Sequence, residues 1–382
     1  MPDAFIVGAV RSPVGRRGGG LSKTHPADLA GQVIGALMER TGVDPSAVDD
    51  VLFGCVTQIG AQSTNIARVA ALSAGLPESV PGVTLDRQCG SSQQAVHFAS
   101  QAIRCGDQHL VVAGGVEVMS SAPLGAAATL GAEAGFGLPR DGAMYRARFG
   151  DTEISQFRGA ELIASRWGLT RESMDAFALE SHRRALEAID RGVFNKEIVA
   201  VDGVTQDEGP RRGSTADGLA ALKTLRPDGL LTAATASPIS DGSAALLIAS
   251  ESALRIHGLT PLAVIRSAVV VGSDPVEMLT GPIPATAQVL KRSGLDLDEI
   301  GLIEVNEAFA SVVLAWQAET GASLERTNVH GGAIALGHPV GATGARLMTT
   351  LVHEMQRTQT RFGLQTMCEG GGMANATVLE LA

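Results

Sequence analysis

Aromatic residues are scarce in this chain, 3% of 382 positions, and its four cysteines stand far apart. Cys55, Cys89, Cys105 and Cys368 include no C-x-x-C pair and no Cys/His cluster at zinc-ligand spacing, so neither a metal nor a disulfide framework is expected. Long apolar runs are missing too. No stretch approaches membrane-spanning length, and Met1-Pro2-Asp3-Ala4-Phe5-Ile6-Val7-Gly8 carries an acid and too brief an apolar run for a signal peptide. Neither a membrane partner nor secretion is expected, and a reducing cytoplasm is the default. Basic charge is in deficit, with a formal net charge of −10. That disfavours nucleic acid as a partner, although a local basic patch can still hold a small polyanion.

Small residues are what the chain has in quantity. Its 46 glycines and 45% hydrophobic content describe a tightly turned α/β protein, either two ordinary domains or one duplicated architecture. Ala4 to Val10, Val51 to Val56 and Leu110 to Gly115 read as buried strands. Asp28 to Arg40, Val69 to Ala74 and Ala95 to Ile103 carry apolar residues at helical spacing. From 119 to 238 the texture changes to Gly/Ala loops, polar helices (Thr170 to Ala188) and a charged stretch at Asp207-Glu208-Gly209-Pro210-Arg211-Arg212. This reads as an inserted loop domain, serving either as a substrate cover or as an oligomer contact.

The last third repeats the first. Asp44 to Gly54 has a counterpart in Asp296 to Asn306, and the helix after Cys89 is echoed by Gly341-Ala342-Thr343-Gly344 opening Ala345 to Met355. Leu110 to Gly115 is echoed by Leu364 to Met367 running into Cys368. An internal duplication is expected, with residues 1–118 and about 239–252 as one half and 253–382 as the other.

Cys89 stands at the amino end of a buried helix, where unpaired N–H groups and the helix dipole favour a thiolate. Its pKa is therefore expected to lie below the free value of about 8.5, as a nucleophile's would. A cysteine filling core space is the plain alternative. Three later segments bear on the choice. Asn306-Glu307-Ala308-Phe309 ends a strand, where polar side chains commonly face a cleft. Gly331 to Gly344 frames His338 with a proline and glycines but lacks the Gly-Lys-Ser/Thr ending of a phosphate loop. Cys368-Glu369-Gly370-Gly371-Gly372 offers bare amides to a ligand. Together they supply a nucleophile, a base, a second acid/base and an oxyanion site.

These four ordered motifs resemble the thiolase family over nearly the whole chain. The resemblance implies a duplicated five-layer αβαβα fold with the 119–238 loop domain inserted in the first half. It also implies a homodimer or a dimer of dimers, and leaves a multienzyme partner open. Cys89 looks like the acyl-accepting nucleophile, His338 its base and Cys368 the second acid/base. Asn306 resembles part of one oxyanion site, and the N–H groups of Cys89 and Gly370 resemble the other. No permanently bound cofactor is implied; coenzyme A is a co-substrate alongside acyl-CoA. Arg211 resembles the residue that meets the CoA nucleotide, Ser237 the pantetheine-contacting serine, and Ala308 and Phe309 the tunnel lining. Arg212 has ordinary solvated surface as its alternative.

Two departures stand out. Glu369 replaces an apolar residue common in the family; because a carboxylate would raise the pKa of Cys368, it is expected to point away or to pair. Ser155-Gln156-Phe157-Arg158-Gly159-Ala160-Glu161 replaces the His-Met-Gly pattern of acetoacetyl-specific relatives. With Asp86 to Ala95, Gly281 to Pro284 and Leu364 to Gly372, it is similar to actinobacterial thiolases of steroid side-chain breakdown. Degradative thiolysis of a bulky or branched 3-ketoacyl-CoA, or of a fatty one, is expected. The alternatives are condensation to acetoacetyl-CoA and, in another class, a non-catalytic acyl-CoA-binding scaffold.

Overall fold

Val, Ile, Leu and Ala fill the segments that form strands, and most are buried on both faces, as a sheet covered by helices on each side requires. The computed structural model describes residues 3–382; the first two residues of the Met1–Gly8 stretch lie outside it. The strands are β1 (Ala4–Arg11), β2 (Gly15–Arg16), β3 (Asp50–Gly54), β4 (Gly82–Leu85), β5 (Leu110–Val118), β6 (Ser240–Ser250), β7 (Ala263–Gly272), β8 (Leu302–Val305), β9 (Phe362–Glu369) and β10 (Met373–Leu381). The expected strands at Ala4, Val51, Leu110 and Leu364 correspond to β1, β3, β5 and β9, and the expected helices to Pro26–Thr41, Ile66–Ser73, Ser91–Cys105, Arg171–Asp190 and Thr343–Thr358.

The duplication is visible in the pairing. β1 lies antiparallel to β6, β6 antiparallel to β5, β5 parallel to β3 and β3 parallel to β4. In the second half β7 lies antiparallel to β10, β10 antiparallel to β9 and β9 parallel to β8, and Ile303 of β8 makes a parallel bridge to Thr327. Order and direction agree strand for strand. Among the described residues, the halves meet in register at Phe5–Val264 and Ile6–Ala263.

Helix Pro26–Thr41 covers the outer face of the first half and helix Pro282–Ser293 that of the second. Between the halves lie Ser91–Cys105 and Thr343–Thr358, which pack on each other; the latter touches strands of both halves. Their shared core includes Ile6, Val111, Leu246, Ile248, Ala95, Val96, Met348 and Leu351. This gives the layers α, β, α, β, α. The two central helices cross tightly near their starts. A Cβ on Gly344 would sit 2.4 Å from the Gln93 backbone nitrogen, so only glycine fits there. The Ser92 hydroxyl accepts from the Ala345 N–H at 2.9 Å. The crossing brings the loops just before each helix, which carry Cys89 and His338, to the same end of the molecule.

The 119–238 segment folds over that end. Its helices Gln156–Arg166 and Arg171–Asp190 contribute Ala160, Ile163, Met174 and Ala178 to a cluster with Ala308, Phe309 and Cys368. Among the described residues, no helix is long and apolar enough to cross a membrane.

Candidate active site

Cys89 sits at the tip of a locked turn. Gln88 before it has φ +51°, in the left-handed region that non-glycine residues rarely occupy. The Asp86 carboxylate accepts from the Gln88 N–H at 2.6 Å. The Ser91 hydroxyl accepts from the Arg87 N–H at 2.9 Å and donates to the Gln88 carbonyl at 2.6 Å. The strained residue is thus held from both sides, which fixes the direction of the cysteine.

The expected low thiol pKa does not survive. Burial pushes the Cys89 thiol up to about 12 and the Glu369 carboxylate adds to the rise, while the N–H groups of Gly370 and Cys89, which face the sulfur, pull the other way. The helix begins only at Ser91, and Gly54 and Gly344 crowd the Ser92 and Gln93 amides of its first turn. Desolvation therefore outweighs the dipole. Cys368 is buried and close enough to Cys89 for the two ionisations to oppose each other. Its thiol is raised, first by burial and then by Cys89 and Glu369.

Glu369 also departs from expectation. It neither points away nor pairs: it is fully buried beside Gly90, and both carboxyl oxygens lack partners.

His338 is buried, and burial reinforced by Arg346 pushes its ring down to about 3, so it is neutral. The neighbours define its tautomer. The Thr343 hydroxyl has one proton, which it donates to the Pro339 carbonyl at 2.8 Å. At 2.6 Å from His338 Nδ1 it therefore accepts, so Nδ1 carries the hydrogen and Nε2 is bare. Asn306 Nδ2 approaches that bare nitrogen at 3.4 Å, and Asn306 Oδ1 is buried without a partner. A neutral imidazole with a free Nε2 can take a proton.

Two buried acids hold the loops in place. Glu117 accepts from the N–H groups of Val56 (2.8 Å), Thr57 (3.0 Å) and Gly341 (3.0 Å) and from Gln62 (3.0 Å), tying the loop after β3 to the loop after His338. Glu307 accepts from Ser181 (2.7 Å), Asn328 (2.9 Å) and the Ile334 N–H (3.1 Å), fastening the segment before His338 to the end of β8. Sequence reasoning missed Thr343, Glu117 and the anchoring work of Glu307. Thr343 lies within the Gly331 to Gly344 motif, but nothing in the sequence indicates that its hydroxyl reaches the imidazole.

Ser237 and the two tunnel candidates form a second group, in which the Ser237 N–H donates to the Ala308 carbonyl at 3.0 Å and Phe309 pairs with Ala236. Arg211 lies on an exposed loop, and its backbone N–H donates to His182 Nδ1 at 3.2 Å. Arg212 is spent on Asp190, in a bidentate ion pair on the surface.

A cleft of about 1120 Å³ opens onto the Cys89 turn. Gln88, Asp86, Gly370 and Gly371 form its floor, and Leu124, Phe136, Leu138, Ile154 and Met278 are among its apolar walls.

The thiolase N-terminal domain model matches residues 4–252 and the thiolase C-terminal domain model residues 259–381. The chain is 52% identical to steroid 3-ketoacyl-CoA thiolase FadA6 of Mycobacterium tuberculosis, over 100% of this chain and 94% of that protein. It is 45% identical to an acetyl-CoA acetyltransferase of Escherichia coli, over 100% and 99%. The crystal structure of the Bacillus anthracis acetyl-CoA acetyltransferase superposes with a TM-score of 0.91 at 38% identity, covering 100% of this chain and 99% of that one. The chain belongs to the thiolase family.

Proposed function

We propose that the protein cleaves a bulky or branched 3-ketoacyl-CoA with coenzyme A, giving acetyl-CoA and an acyl-CoA two carbons shorter, with the acyl group carried on Cys89. The observation that carries the substrate class is the cleft of about 1120 Å³. It is larger than a short acyl chain needs, and its walls are mainly apolar. The relative named as a steroid 3-ketoacyl-CoA thiolase supports the same reading.

His338 Nε2 takes the Cys89 proton and the sulfur attacks the 3-keto carbon, whose oxygen is received by the Cys89 and Gly370 N–H groups. The C2–C3 bond breaks, leaving a thioester enolate that Asn306 and His338 stabilise and Cys368 protonates at C2. The raised thiol of Cys368 suits a proton donor to carbon. The Cys368 thiolate next takes the proton of coenzyme A, whose sulfur attacks the acyl-Cys89 carbonyl. Cys89 leaves with the proton held on His338.

Arg211 meets the CoA nucleotide, Ser237 the pantetheine, and Ala308 and Phe309 the tunnel wall. Coenzyme A and acyl-CoA are substrates, and no cofactor is held permanently. A homodimer or dimer of dimers fits the open edge of β4, where Val83 is 45% exposed, and the bare Phe136 (86%) and Met144 (90%) of the loop domain. The four unpaired cysteines fit a cytoplasmic setting. Run backwards, the same groups condense two acetyl-CoA molecules, and the relatives named acetyl-CoA acetyltransferase favour that second reading.

A panel of 3-ketoacyl-CoAs of rising bulk tests the proposal. The branched and ring-bearing members are expected to show the highest kcat/KM for CoA-dependent cleavage. Equal or better turnover of acetoacetyl-CoA overturns the substrate class.

A further inference from the structure

Glu369 ends β9 as a fully buried acid with no hydrogen-bond partner on either oxygen. Its Oε1 lies 2.0 Å from the point where a Cβ on Gly90 would sit, and Asn375 Nδ2 lies 2.7 Å from the same point. Asn375 Nδ2 donates to the Gly90 carbonyl at 3.1 Å, while its Oδ1 is buried and unpartnered. Because β9 and β10 pair Glu369 with Met373 and Met367 with Asn375, Glu369 and Asn375 are diagonal neighbours on one sheet face, within reach of each other. An acid and an amide therefore flank the peptide that follows Cys89, and each has an oxygen with nothing to bond.

The charged groups that face Glu369 are Asp86, which opposes its ionisation, and Arg87, which favours it; both belong to the turn leading to Cys89. Arg87 makes no hydrogen bond to the acid and instead reaches Met373 Sδ at 3.7 Å. Cys89 and Cys368 are the other titratable neighbours, and an ionised Glu369 raises both thiols. A carboxylate stripped of water and offered no donor keeps its proton at neutral pH. Burial accordingly pushes Glu369 up to about 8.

We propose that Glu369 is a positioning residue that governs the nucleophile through its own proton. Neutral, it gives its O–H to Asn375 Oδ1 and steadies the Gly90 peptide; ionised, it sets a negative charge beside Cys89 and suppresses the thiolate. The proposal rests on Cys89 being the nucleophile, and it makes the residue after the second cysteine an alkaline brake where relatives with an apolar residue have none.

The test is site-resolved alkylation of Cys89 by iodoacetamide in the intact enzyme across pH, read by peptide mass spectrometry for wild type, Glu369→Gln and Glu369→Leu. Both variants are neutral at every pH. The variant-to-wild-type ratio of alkylation rates is expected to climb about tenfold between about pH 6.5 and about pH 9.5, as one removed negative charge close to a thiol implies. A purely structural role moves the ratio by the same factor at every pH, so a flat ratio overturns the proposal, as does one that falls. Either variant alone decides the matter if the other does not fold. Failure of the thiolase reading looks different: CoA-dependent cleavage persisting in Cys89→Ala.

Discussion

Replacing Thr343 by valine keeps the volume of the side chain and deletes one oxygen. That oxygen accepts the His338 Nδ1 hydrogen at 2.6 Å in a buried site, where that hydrogen has no other acceptor. A hydrogen bond to neutral imidazole contributes about 0.5–1.5 kcal/mol, and one to the imidazolium formed when His338 takes the Cys89 proton about 1.5–3 kcal/mol. Only the difference between the two states enters the rate. That difference, about 1–1.5 kcal/mol, corresponds to a loss of roughly 5- to 12-fold in the acylation step. The freed ring can also move its hydrogen to Nε2 and cease to be a base, which deepens the loss. Thr343→Ser keeps the oxygen and is expected to retain most activity. The assay is single-turnover formation of acyl-enzyme from a 3-ketoacyl-CoA, with KM measured in parallel because the interaction is made in the transition state. A valine variant that acylates as fast as the serine variant refutes the reasoning.

Other consequences can be read from the same geometry. Gly344→Ala places a methyl group 2.4 Å from the Gln93 nitrogen at the helix crossing, so the urea midpoint should fall by the equivalent of about 1–3 kcal/mol; an unchanged midpoint contradicts the packing. Burial pushes His97 from its ordinary 6.5 down to about 3, so between those values the unfolded chain binds the proton and the folded chain does not. Stability from this group is thus present above about pH 6.5 and lost as pH falls, by about 2 kcal/mol at pH 5, and His97→Gln should flatten that part of the urea-midpoint profile relative to wild type. A Cβ on Gly131 meets nothing in the cleft, so Gly131→Phe should lower kcat/KM for a branched substrate about tenfold more than for acetoacetyl-CoA. Equal losses on both substrates would place the acyl chain elsewhere.

What was legible in the sequence were features written locally. The Ser91–Cys105 and Thr343–Thr358 helices announced themselves by apolar periodicity, and the echo of Asp44–Gly54 in Asp296–Asn306 became two strands at corresponding places in the two halves. β6 and β10 were not named from the sequence, because strands buried on both faces lose the alternation that marks them. The thiol pKa of Cys89 departs from expectation for a related reason. A helix start is a local signal, whereas burial by the folded chain overrules it, and the Glu369 charge that adds to the rise lies on a strand 280 residues further on, placed there by the register of β9 and β10. Strand alternation alone could not show that the face carrying Glu369 is the one closed by Gly90. The partnership of Thr343 with His338 was hidden in the same way, since it depends on the path of the Pro339 turn and not on spacing.

The most direct trial of Cys89 as acyl carrier is intact-protein and peptide mass spectrometry after mixing with a branched 3-ketoacyl-CoA in the absence of free coenzyme A. The expected result is an acyl mass, two carbons shorter than the substrate chain, on the peptide containing Cys89. It should be discharged by added coenzyme A and absent from Cys89→Ala along with all cleavage. Cleavage that continues in Cys89→Ala, or an acyl mass on Cys368 in its place, would contradict it.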